Sequence, residues 1–259
     1  MVEALRELEA TAPPTLAPRV LAAAGLVDAF TQIRGPIGPL LVAWGPDGIT
    51  AIERAGDESG FILEYETQHG RPLRRVERMP ERLLRAVDRQ LEGEHVRDLP
   101  VDLRALTEFE RAVLRKTMEI PRGEVRPYAW VAREIGRPRA VRAVGSALAH
   151  NPIPFVIPCH RVVRADGRIG EYGAGGPAAK REVLAVEGVD TSELEALADH
   201  GVRYFGSDTT KIFCYPSCRH ARRTTERHRM HFRSGEDATS AGYRACLVCR
   251  PLVASPFAA

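Results

Sequence analysis

Four cysteines in two close pairs place the strongest constraint on how the end of this chain can fold. They follow the pattern C-x3-C-x27-C-x2-C and are Cys214, Cys218, Cys246 and Cys249. Two close pairs of thiolates suit the tetrahedral coordination of a structural zinc ion. A segment of about sixty residues with few large apolar side chains is only marginally stable without such a metal. The pattern therefore predicts a small zinc-bound α+β module over residues 200–253.

Two other uses of these cysteines stay open, namely two disulfides or an iron–sulfur cluster. Residues 1–18 carry acids and prolines where a secretory signal has basic and then apolar residues, and no apolar run reaches the length of a membrane span. We therefore expect a cytoplasmic protein without membrane segments, and a reducing compartment disfavours disulfides. Three histidines could replace a cysteine as ligands, but four cysteines already fill a site, so we expect these either to face DNA or to be simply exposed: His220, His228 and His231.

Positive charge is concentrated in two regions of a chain whose net charge is only +3. Residues 121–164 hold eight arginines against two glutamates, a local charge of +6. Residues 201–251 hold ten basic against four acidic residues, again +6. Two basic regions on an otherwise acidic chain suggest a polyanionic partner, although arginine-rich surfaces are often merely solvated.

The rest of the chain divides into an extension and two larger units. Residues 1–30 are expected to form two short helices as an N-terminal extension. In the α/β unit at 31–102, two strands flank a Pro-Asp-Gly turn at residues 46–48, and a helix over 80–93 ends at Gly93. A helical unit at 103–192 follows, with Thr107 and Glu110 at capping-box spacing. We place the boundary before the zinc module at about residue 195, in an acidic bridge.

Residues 128–151 have the pattern helix, glycine turn, helix. Gly136 ends the first helix and Pro138 opens the second, as in a helix-turn-helix. Two ordinary packed helices are the commoner explanation of such a pattern. The second helix favours a nucleic-acid reader, because small residues permit close approach and arginines contact phosphates. The arginines are Arg137, Arg139 and Arg142, and the small residues are Ala140, Ala143, Gly145, Ser146 and Ala147.

The fifth cysteine stands alone, in the stretch “PFVIPCHRVV” at residues 154–163. A thiol becomes a good nucleophile only as a thiolate, which a neighbouring base or positive charge favours. His160 follows Cys159 directly, but adjacent residues of a strand point to opposite faces, so proton transfer needs a local turn or a bridging water. Glu187 is a candidate to orient the histidine. A buried structural cysteine is the simpler alternative.

The sequence around this cysteine resembles the O6-alkylguanine-DNA alkyltransferase family. The similarity covers roughly residues 31–190 and rests on “FERAVLRKTMEIPRGEVRPYAWVA”, “RAVGSALAHNPIPFVIPCHRVV” and “GEYGAGGPAAKREVLAVEG”. It implies a ribonuclease-H-like α/β N-terminal unit and a helical, winged-helix-like DNA-binding domain that carries the active site. It also implies DNA repair by direct reversal. In that reaction a methyl or alkyl group moves from O6-alkylguanine, or O4-alkylthymine, to the protein in a single turnover.

The resemblance also implies roles for residues of the reaction centre. Cys159 falls on the alkyl-accepting cysteine, His160 on the water-bridged base and Glu187 on the carboxylate that completes the relay. Asn151 falls on the asparagine that braces the active-site turn. The damaged DNA is itself the alkyl donor. No glycine-rich strand-to-helix fingerprint of a nucleotide-like donor occurs in the sequence, so no S-adenosylmethionine is expected.

Further residues are implied to contact double-stranded DNA, which a monomer would bind. Tyr128 matches the tyrosine that rotates the target phosphate, and Arg142, flanked by the small residues Ala143 and Gly145, matches the arginine that fills the gap left by the flipped base. Tyr172 and Pro154 match the pocket wall. Two departures from the family pattern bear on tolerance of bulky adducts: “GEYGAGGP” is one residue longer than in other forms of the family, and a glycine follows Tyr172 where some members have serine.

The cysteine-rich segment resembles the zinc-binding module of the Ada adaptive-response protein. The similarity covers about residues 202–252 and rests on “YFGSD”, “TKIFCYPSCR” and “AGYRACLVCRP”. In that family the module stands at the N-terminus and repairs methyl phosphotriesters with one zinc-bound cysteine. That cysteine corresponds to Cys214, so Cys214 is a possible second methyl acceptor. Four purely structural cysteines that dock the module on DNA are the alternative.

Two other functional classes remain to be separated from DNA repair. A lesion-binding sensor without chemistry is disfavoured, because members of the family that only bind lesions lack the acceptor thiol. A cysteine hydrolase would use Cys159 and His160, but the sequence indicates no oxyanion hole or substrate cleft. Methyl transfer to Cys159 distinguishes all three.

Overall fold

The computed structural model describes residues 20, 24–94, 96 and 98–253. The chain has a mixed α/β fold built from a four-stranded sheet with two helices, a group of helices, and a second four-stranded sheet with short helices. None of the described helices is long and apolar enough to cross a membrane. The two short helices expected within residues 1–30 fall largely outside the described residues, and the first strand already begins at Asp28.

The N-terminal sheet has the strand order β3-β2-β1-β4, with a hairpin at its centre. Gly45 pairs with Gly48 across the expected Pro-Asp turn, so the two predicted strands are confirmed. One face packs Leu40, Val42 and Ile52 into the main core, and the other covers Phe61 of a helix. The elements are β1 (Asp28–Gly35), β2 (Gly38–Gly45), β3 (Gly48–Arg54), α1 (Glu58–His69), β4 (Leu73–Arg75) and α2 (Glu81–Leu91).

The helical part begins with the expected capping box, because Thr107 and Glu110 each bond the backbone of the other. Its first three helices pack around Leu114, Trp130, Val131, Val144 and Leu148, all buried. The elements are α3 (Glu108–Met118), β5 (Arg126–Pro127), α4 (Tyr128–Glu134), α5 (Val141–Ala149), a 3-10 turn (Cys159–Arg161), β6 (Val162–Val163), α6 (Gly176–Val186) and α7 (Thr191–Asp199).

Two predicted helix boundaries are wrong. The helix α2 ends at Leu91 rather than at Gly93, which lies beyond it with a φ of 100°. The helix α5 begins at Val141 rather than at Pro138, because the amide of Ala140 donates to the carbonyl of Arg137 and closes a turn first. Arg137 and Arg139 therefore lie in the turn before the helix.

The N-terminal sheet and α2 brace the loop that leads to Cys159. The amide of Ile52 in β3 donates to the carbonyl of Pro152 at 2.8 Å. The side chain of Gln90, buried on α2, donates to the carbonyl of Val156 at 3.1 Å. The N-terminal unit thus fixes the backbone on which the lone cysteine stands.

The cysteine-rich segment folds as a small mixed sheet of order β10-β8-β7-β9. A helix, α7, spans the expected boundary at about residue 195, so the acidic bridge is helical. The elements are β7 (Tyr204–Ser207), β8 (Ile212–Cys214), α8 (Arg219–Arg222), a 3-10 turn (Glu226–His228), β9 (Arg229–Phe232), α9 (Gly235–Ser240) and β10 (Arg244–Ala245).

Candidate functional site

Cys159 stands at the first residue of a 3-10 turn, not on a strand. The opposite-face geometry considered for Cys159 and His160 therefore does not apply. The chain reaches the turn through Phe155, whose φ of 69° is unusual for a bulky side chain and marks a strained backbone. Proline residues on either side, Pro154 and Pro158, restrict the loop further. The short turn thus places Cys159 and His160 at two consecutive buried positions.

Asn151 ties this loop together. Its Nδ2 donates to the carbonyl of Ile157 at 2.9 Å and to Sγ of Cys159 at 3.1 Å, while its Oδ1 accepts from the amide of Ile153 at 3.1 Å. One side chain therefore fixes the backbone before the cysteine and also contacts the sulfur. A hydrogen bond to sulfur stabilises the thiolate more than the thiol.

His160 and Glu187 form a buried relay. Nε2 of His160 lies 2.9 Å from Oε1 of Glu187, and this contact leaves Nδ1 as the basic nitrogen. Nδ1 is buried and has no partner among the described residues. Burial lowers the pKa of His160, while Glu187 opposes that shift, so the imidazole is neutral near pH 7. A neutral imidazole oriented by a carboxylate can accept a proton.

Arg161 holds the carboxylate of the relay. It donates to Glu187 through Nε and Nη2, at 2.9 and 2.8 Å, and to the carbonyl of Ile120 through Nη1 at 2.6 Å. Burial raises the pKa of Glu187, but the hydrogen bonds from His160 and Arg161 outweigh it and lower the pKa to about 2. Glu187 is therefore a carboxylate throughout the neutral range.

Lys180 is a second buried cation that the sequence analysis did not identify. Its Nζ donates to the carbonyls of Val162 and Glu171, at 2.7 and 3.0 Å, and the side chain is fully buried. Burial lowers the pKa of Lys180 to about 8. The sequence does not predict this burial, because lysine on an amphipathic helix such as α6 is usually exposed.

The Cys159 thiol lies between opposing influences. Burial raises its pKa, whereas the hydrogen bond from Asn151, the charge of Lys180 and the nearby backbone amides lower it. The thiol is therefore protonated near neutral pH. Asn151, Lys180 and the backbone amides stabilise the thiolate once a base has accepted the proton. Nδ1 of His160 is the base that this geometry offers.

A cavity of about 430 Å³ opens beside Cys159. The N-terminal unit supplies part of its wall through Arg54 and Tyr65, and the loop residues Asn151 and Pro154 supply another part. A volume of this order suits one small planar group. The predicted pocket residue Pro154 therefore lines the cavity.

Tyr172 lies behind the reaction centre rather than at an open edge. Its ring meets those of Phe155 and His160 edge-on, with centroids 6.3 and 6.1 Å apart. Gly173 follows, and a Cβ there would stand 2.8 Å from the carbonyl oxygen of Ala149. This close approach explains why this loop has glycine rather than serine after the tyrosine.

The predicted DNA-contacting residues lie on two helices that pack together. Tyr128 is the half-buried first residue of α4, and its ring lies 5.9 Å from Nζ of Lys180. Arg142 and Ala143 are exposed in the first turn of α5, and Gly145 is partly exposed in its middle. Arg142 makes no ion pair with another described residue.

The four clustered cysteines come together at the end of the chain. Their Sγ atoms all lie within 4.8 Å of one another, and all four residues are buried and unbridged: Cys214, Cys218, Cys246 and Cys249. In a tetrahedral zinc site with bonds near 2.3 Å the sulfurs are about 3.8 Å apart, so this donor set fits zinc. The histidines lie outside the cluster: His220 and His231 are exposed, and His228 bonds Asp208 at 2.9 Å.

The members of the cluster differ in their surroundings. Cys214 and Cys246 line a cavity of about 500 Å³, together with Arg223, Arg244 and the largely exposed Leu247. Cys218 and Cys249 are completely buried and do not reach it. Two of the cysteines therefore line a basic cavity and two lie in the protein interior.

The structure thus defines a protein with an activated thiol in a helical domain and a separate four-cysteine metal module. Comparison with known families agrees on both parts. Residues 108–189 match the 6-O-methylguanine DNA methyltransferase, DNA binding domain, and residues 196–251 match the metal binding domain of Ada. The second match and the donor set together identify the cluster as a zinc site.

Individual relatives extend the similarity to the N-terminal unit. A methylated-DNA–protein-cysteine methyltransferase from Methanothermobacter thermautotrophicus is 38% identical over 160 residues, which cover 60% of this chain and 82% of the relative. The enzyme of that name from Mycolicibacterium paratuberculosis is 50% identical over 90 residues, 35% of this chain. That match spans only 53% of the relative, about half of its length.

A solved structure shares the fold. The crystal structure of Mycobacterium tuberculosis OGT in complex with DNA covers 64% of this chain and 99% of its own, with 32% identity and a TM-score of 0.50. The chain belongs to the methylated-DNA–protein-cysteine methyltransferase family.

Proposed function

We propose that this protein repairs DNA by direct reversal, transferring a methyl or alkyl group from O6-alkylguanine, and from O4-alkylthymine, to Cys159. The observation that carries the proposal is the Asn151-bound thiol beside a neutral imidazole that Glu187 orients, at the edge of a base-sized cavity. Membership of the family supports the same reaction. The protein acts once, as a methylated-DNA–[protein]-cysteine S-methyltransferase.

The chemistry follows from these groups. Nδ1 of His160 takes the thiol proton, directly or through a water, and the thiolate attacks the alkyl carbon. The sulfur–carbon bond forms as the carbon–O6 bond breaks, and the electron pair stays with guanine. The departing guanine takes up one proton, which balances the one that the thiol lost. The thioether product has no ready leaving group, so Cys159 is not regenerated.

The partner in this proposal is double-stranded DNA bound by a monomer. The O6 atom of guanine lies inside the stack, so the damaged nucleotide must be flipped out, at a cost of a few kcal/mol. Arg142, exposed in the first turn of α5, would enter the vacated space, and Ala143 and Gly145 would allow close approach. Tyr128 would turn the target phosphate. In fold terms the N-terminal unit would be ribonuclease-H-like and the helical domain winged-helix-like.

The test is a single-turnover reaction with duplex DNA that contains one O6-methylguanine. We expect one methyl group per protein, located by peptide mass on Cys159, and no transfer with Cys159→Ala, which should still bind the duplex. A methyl group on another residue, or repair by Cys159→Ala, would contradict the assignment. Binding without transfer by the wild type would instead indicate a lesion sensor.

A second candidate activity is methyl-phosphotriester repair by Cys214. Its support is the basic cavity that reaches Cys214 but not Cys218 or Cys249. Zinc bound to the four cysteines would keep them as thiolates near neutral pH. Sγ of Cys214 would attack the methyl carbon and release a phosphodiester anion, which keeps the electron pair of the broken carbon–oxygen bond. Arg223 and Arg244 would dock on neighbouring phosphates, because the triester itself is uncharged.

This second activity is tested in zinc-loaded Cys159→Ala protein with DNA carrying a methyl phosphotriester. We expect a methyl group on the peptide that contains Cys214. One zinc per chain without any methyl on Cys214 would leave the module as a structural DNA-docking element. A methyl group on Cys246, which lines the same cavity, would assign the role to that cysteine instead.

A further inference from the structure

The zinc module contacts the reaction domain through residues that flank a zinc ligand. Ser217, next to Cys218, accepts a hydrogen bond from the amide of Val125 at 2.9 Å and donates to its carbonyl at 3.3 Å. The amide of Arg219, on the other side of Cys218, donates to Oε1 of Glu124 at 3.0 Å. Both contacts end on one stretch of the reaction domain, residues 120–127, which we call the 120–127 segment.

The other edge of the 120–127 segment meets the relay. The carbonyl of Ile120 accepts a hydrogen bond from Arg161 at 2.6 Å, and Arg161 also donates to the Glu187 carboxylate. The amide of Gly123 makes a long hydrogen bond of 3.5 Å to Oε2 of Glu187, and a Cβ at Gly123 would lie 3.1 Å from the Glu187 carbonyl. Arg122 donates to the carbonyl of Val186 at 2.8 Å. The segment therefore supports the carboxylate that orients His160.

A buried ion pair makes the conformation of the segment depend on the module. Glu124 pairs with Arg126, and both side chains are 2% exposed. The guanidinium of Arg126 lies between Trp130 of the reaction domain and Tyr215 of the module, 5.8 and 5.5 Å from their ring centroids. A buried pair is tolerated only when its remaining polar atoms are satisfied, and here the module supplies the amide that bonds Glu124.

A second contact follows another zinc ligand. Arg250, directly after Cys249, bonds Glu134 at 2.7 Å and lies over Trp130 at 5.6 Å. Arg133 of α4 donates to the carbonyls of Arg250 and Pro251 at 2.5 and 3.1 Å. The two completely buried ligands, Cys218 and Cys249, are thus each next to residues that hydrogen-bond or ion-pair with the reaction domain. A metal that joins these ligands fixes the spacing of the two docking points.

We propose that the zinc module positions the active site for the reaction at Cys159, with Ser217 as a positioning residue. Metal-bound cysteines hold Ser217 and Arg219 against the 120–127 segment, and the segment holds Arg161 and Glu187 for His160. The proposal rests on the proposed transfer to Cys159. It goes beyond that function by making guanine repair depend on a module whose own cavity faces elsewhere.

The experiment compares two serine variants of the full-length, zinc-loaded protein. Ser217→Ala removes the paired bonds to Val125. Ser234→Ala is the matched control, because it removes the N-cap of α9 within the module, where Ser234 accepts from Asp237 at 2.9 Å. The readouts are the single-turnover rate of methyl transfer to Cys159 between pH 5 and 9, and the zinc content.

We expect Ser217→Ala to react about fivefold more slowly, a magnitude that the loss of its paired hydrogen bonds with Val125 allows. Its pH profile should shift, because the balance of Glu187, Arg161 and Lys180 around His160 changes. Ser234→Ala should stay within about twofold of wild type. Ser217→Thr, which keeps the hydroxyl, should recover the rate and the profile.

Two further results decide between explanations. If Ser217→Ala and Ser234→Ala behave alike in rate and pH profile with one zinc bound, the positioning role is wrong. If Ser217→Ala fails to fold, the positioning role is tested in wild-type protein instead. The rate at which iodoacetamide labels the Cys159 peptide is then measured before and after the zinc is removed by chelation. A labelling rate that does not change on chelation would overturn the proposal. Absence of methyl transfer in the wild type would contradict the proposed function, whereas these labelling rates would still report on positioning.

Discussion

At the level of single residues, two polar side chains, the partly buried Asn151 and the buried Lys180, oppose the effect of burial on the pKa of the Cys159 thiol. Asn151 donates a hydrogen bond to Sγ, and Lys180 contributes a positive charge. The burial that raises the thiol pKa also keeps water from competing with these groups. The reactivity of Cys159 therefore depends on how these neighbouring side chains change the pKa of its thiol.

This balance gives a prediction for Lys180→Met, which keeps the length of the side chain but removes its charge. The thiol pKa should rise by about one unit, which slows iodoacetamide labelling of Cys159 at pH 7 about tenfold. Labelling followed as a function of pH and resolved by peptide mass measures the change. The control is Lys116→Met on α3, which loses an ion pair with Glu119 just beyond the end of the helix. Equal labelling of the two variants would exclude a role for the buried charge.

Glu187 gives a prediction about acid stability. Its folded pKa of about 2 lies below the ordinary unfolded value of about 4.3, so its contribution is present above about pH 4.3 and is lost as the pH falls towards 2. Two units of pKa correspond to about 3 kcal/mol. In urea unfolding, Glu187→Gln should be less stable than wild type at pH 7, and the difference should narrow below pH 4. Glu182→Gln, on the exposed face of α6, should show no such difference, and a constant gap for Glu187→Gln would contradict the assignment.

At the level of elements, local sequence signals predicted some boundaries and failed at others. The capping box at Thr107 and the hairpin at residues 46–48 are confirmed, because each depends only on neighbouring residues. The start of α5 was misplaced, since Pro138 can open a helix or stand in a turn, and the bond from Ala140 to Arg137 selects the turn. The error matters because it moves Arg137 and Arg139 off the helix and leaves Arg142 as the arginine of its first turn.

The corrected helix sharpens the prediction for Arg142→Ala. Because Arg142 is exposed, its removal should leave the thermal unfolding temperature nearly unchanged. Transfer from O6-methylguanine in duplex DNA should slow about tenfold or more, since the flipped state loses its support. Transfer from the free base, which needs no flipping, should not change. Arg85→Ala on α2 is the control, and equal duplex rates for the two variants would count against a role in base flipping.

At the level of the whole molecule, the active site is assembled from distant parts of the chain. The N-terminal unit supplies cavity residues such as Arg54 and the bond from Ile52, and the zinc module supplies contacts to Val125 and Glu124.

The sequence could predict the zinc ligands and Cys159 because short spacings carry that information. It could not predict the docking of the module, because Glu124 and Arg126 look like solvated charges until the partner surface is known.

Docking of the module predicts a fluorescence change when zinc is removed. The sequence has two tryptophans: Trp44 lies in the N-terminal sheet, and Trp130 lies under Arg250 and beside Arg126 at the module interface. Trp130 is only 3% exposed. Without metal the four cysteines no longer hold the docking residues, so Trp130 should become exposed to water. In Trp44→Phe protein, chelation should therefore shift the emission to longer wavelength and increase quenching by iodide.

The matched control for this measurement is Trp130→Phe, in which Trp44 alone reports. Its spectrum should not change on chelation, because Trp44 lies on β2 of the N-terminal sheet and, unlike Trp130, has no cation–π contact with Arg126 or Arg250. Zinc release is followed in both proteins with a colorimetric metal indicator, so that loss of metal and movement of the module are recorded independently. Full release of zinc without a shift in the Trp44→Phe protein would mean that the module stays docked by its protein contacts alone. A shift in both proteins would mean that zinc stabilises the whole chain rather than the interface that positions residues 120–127.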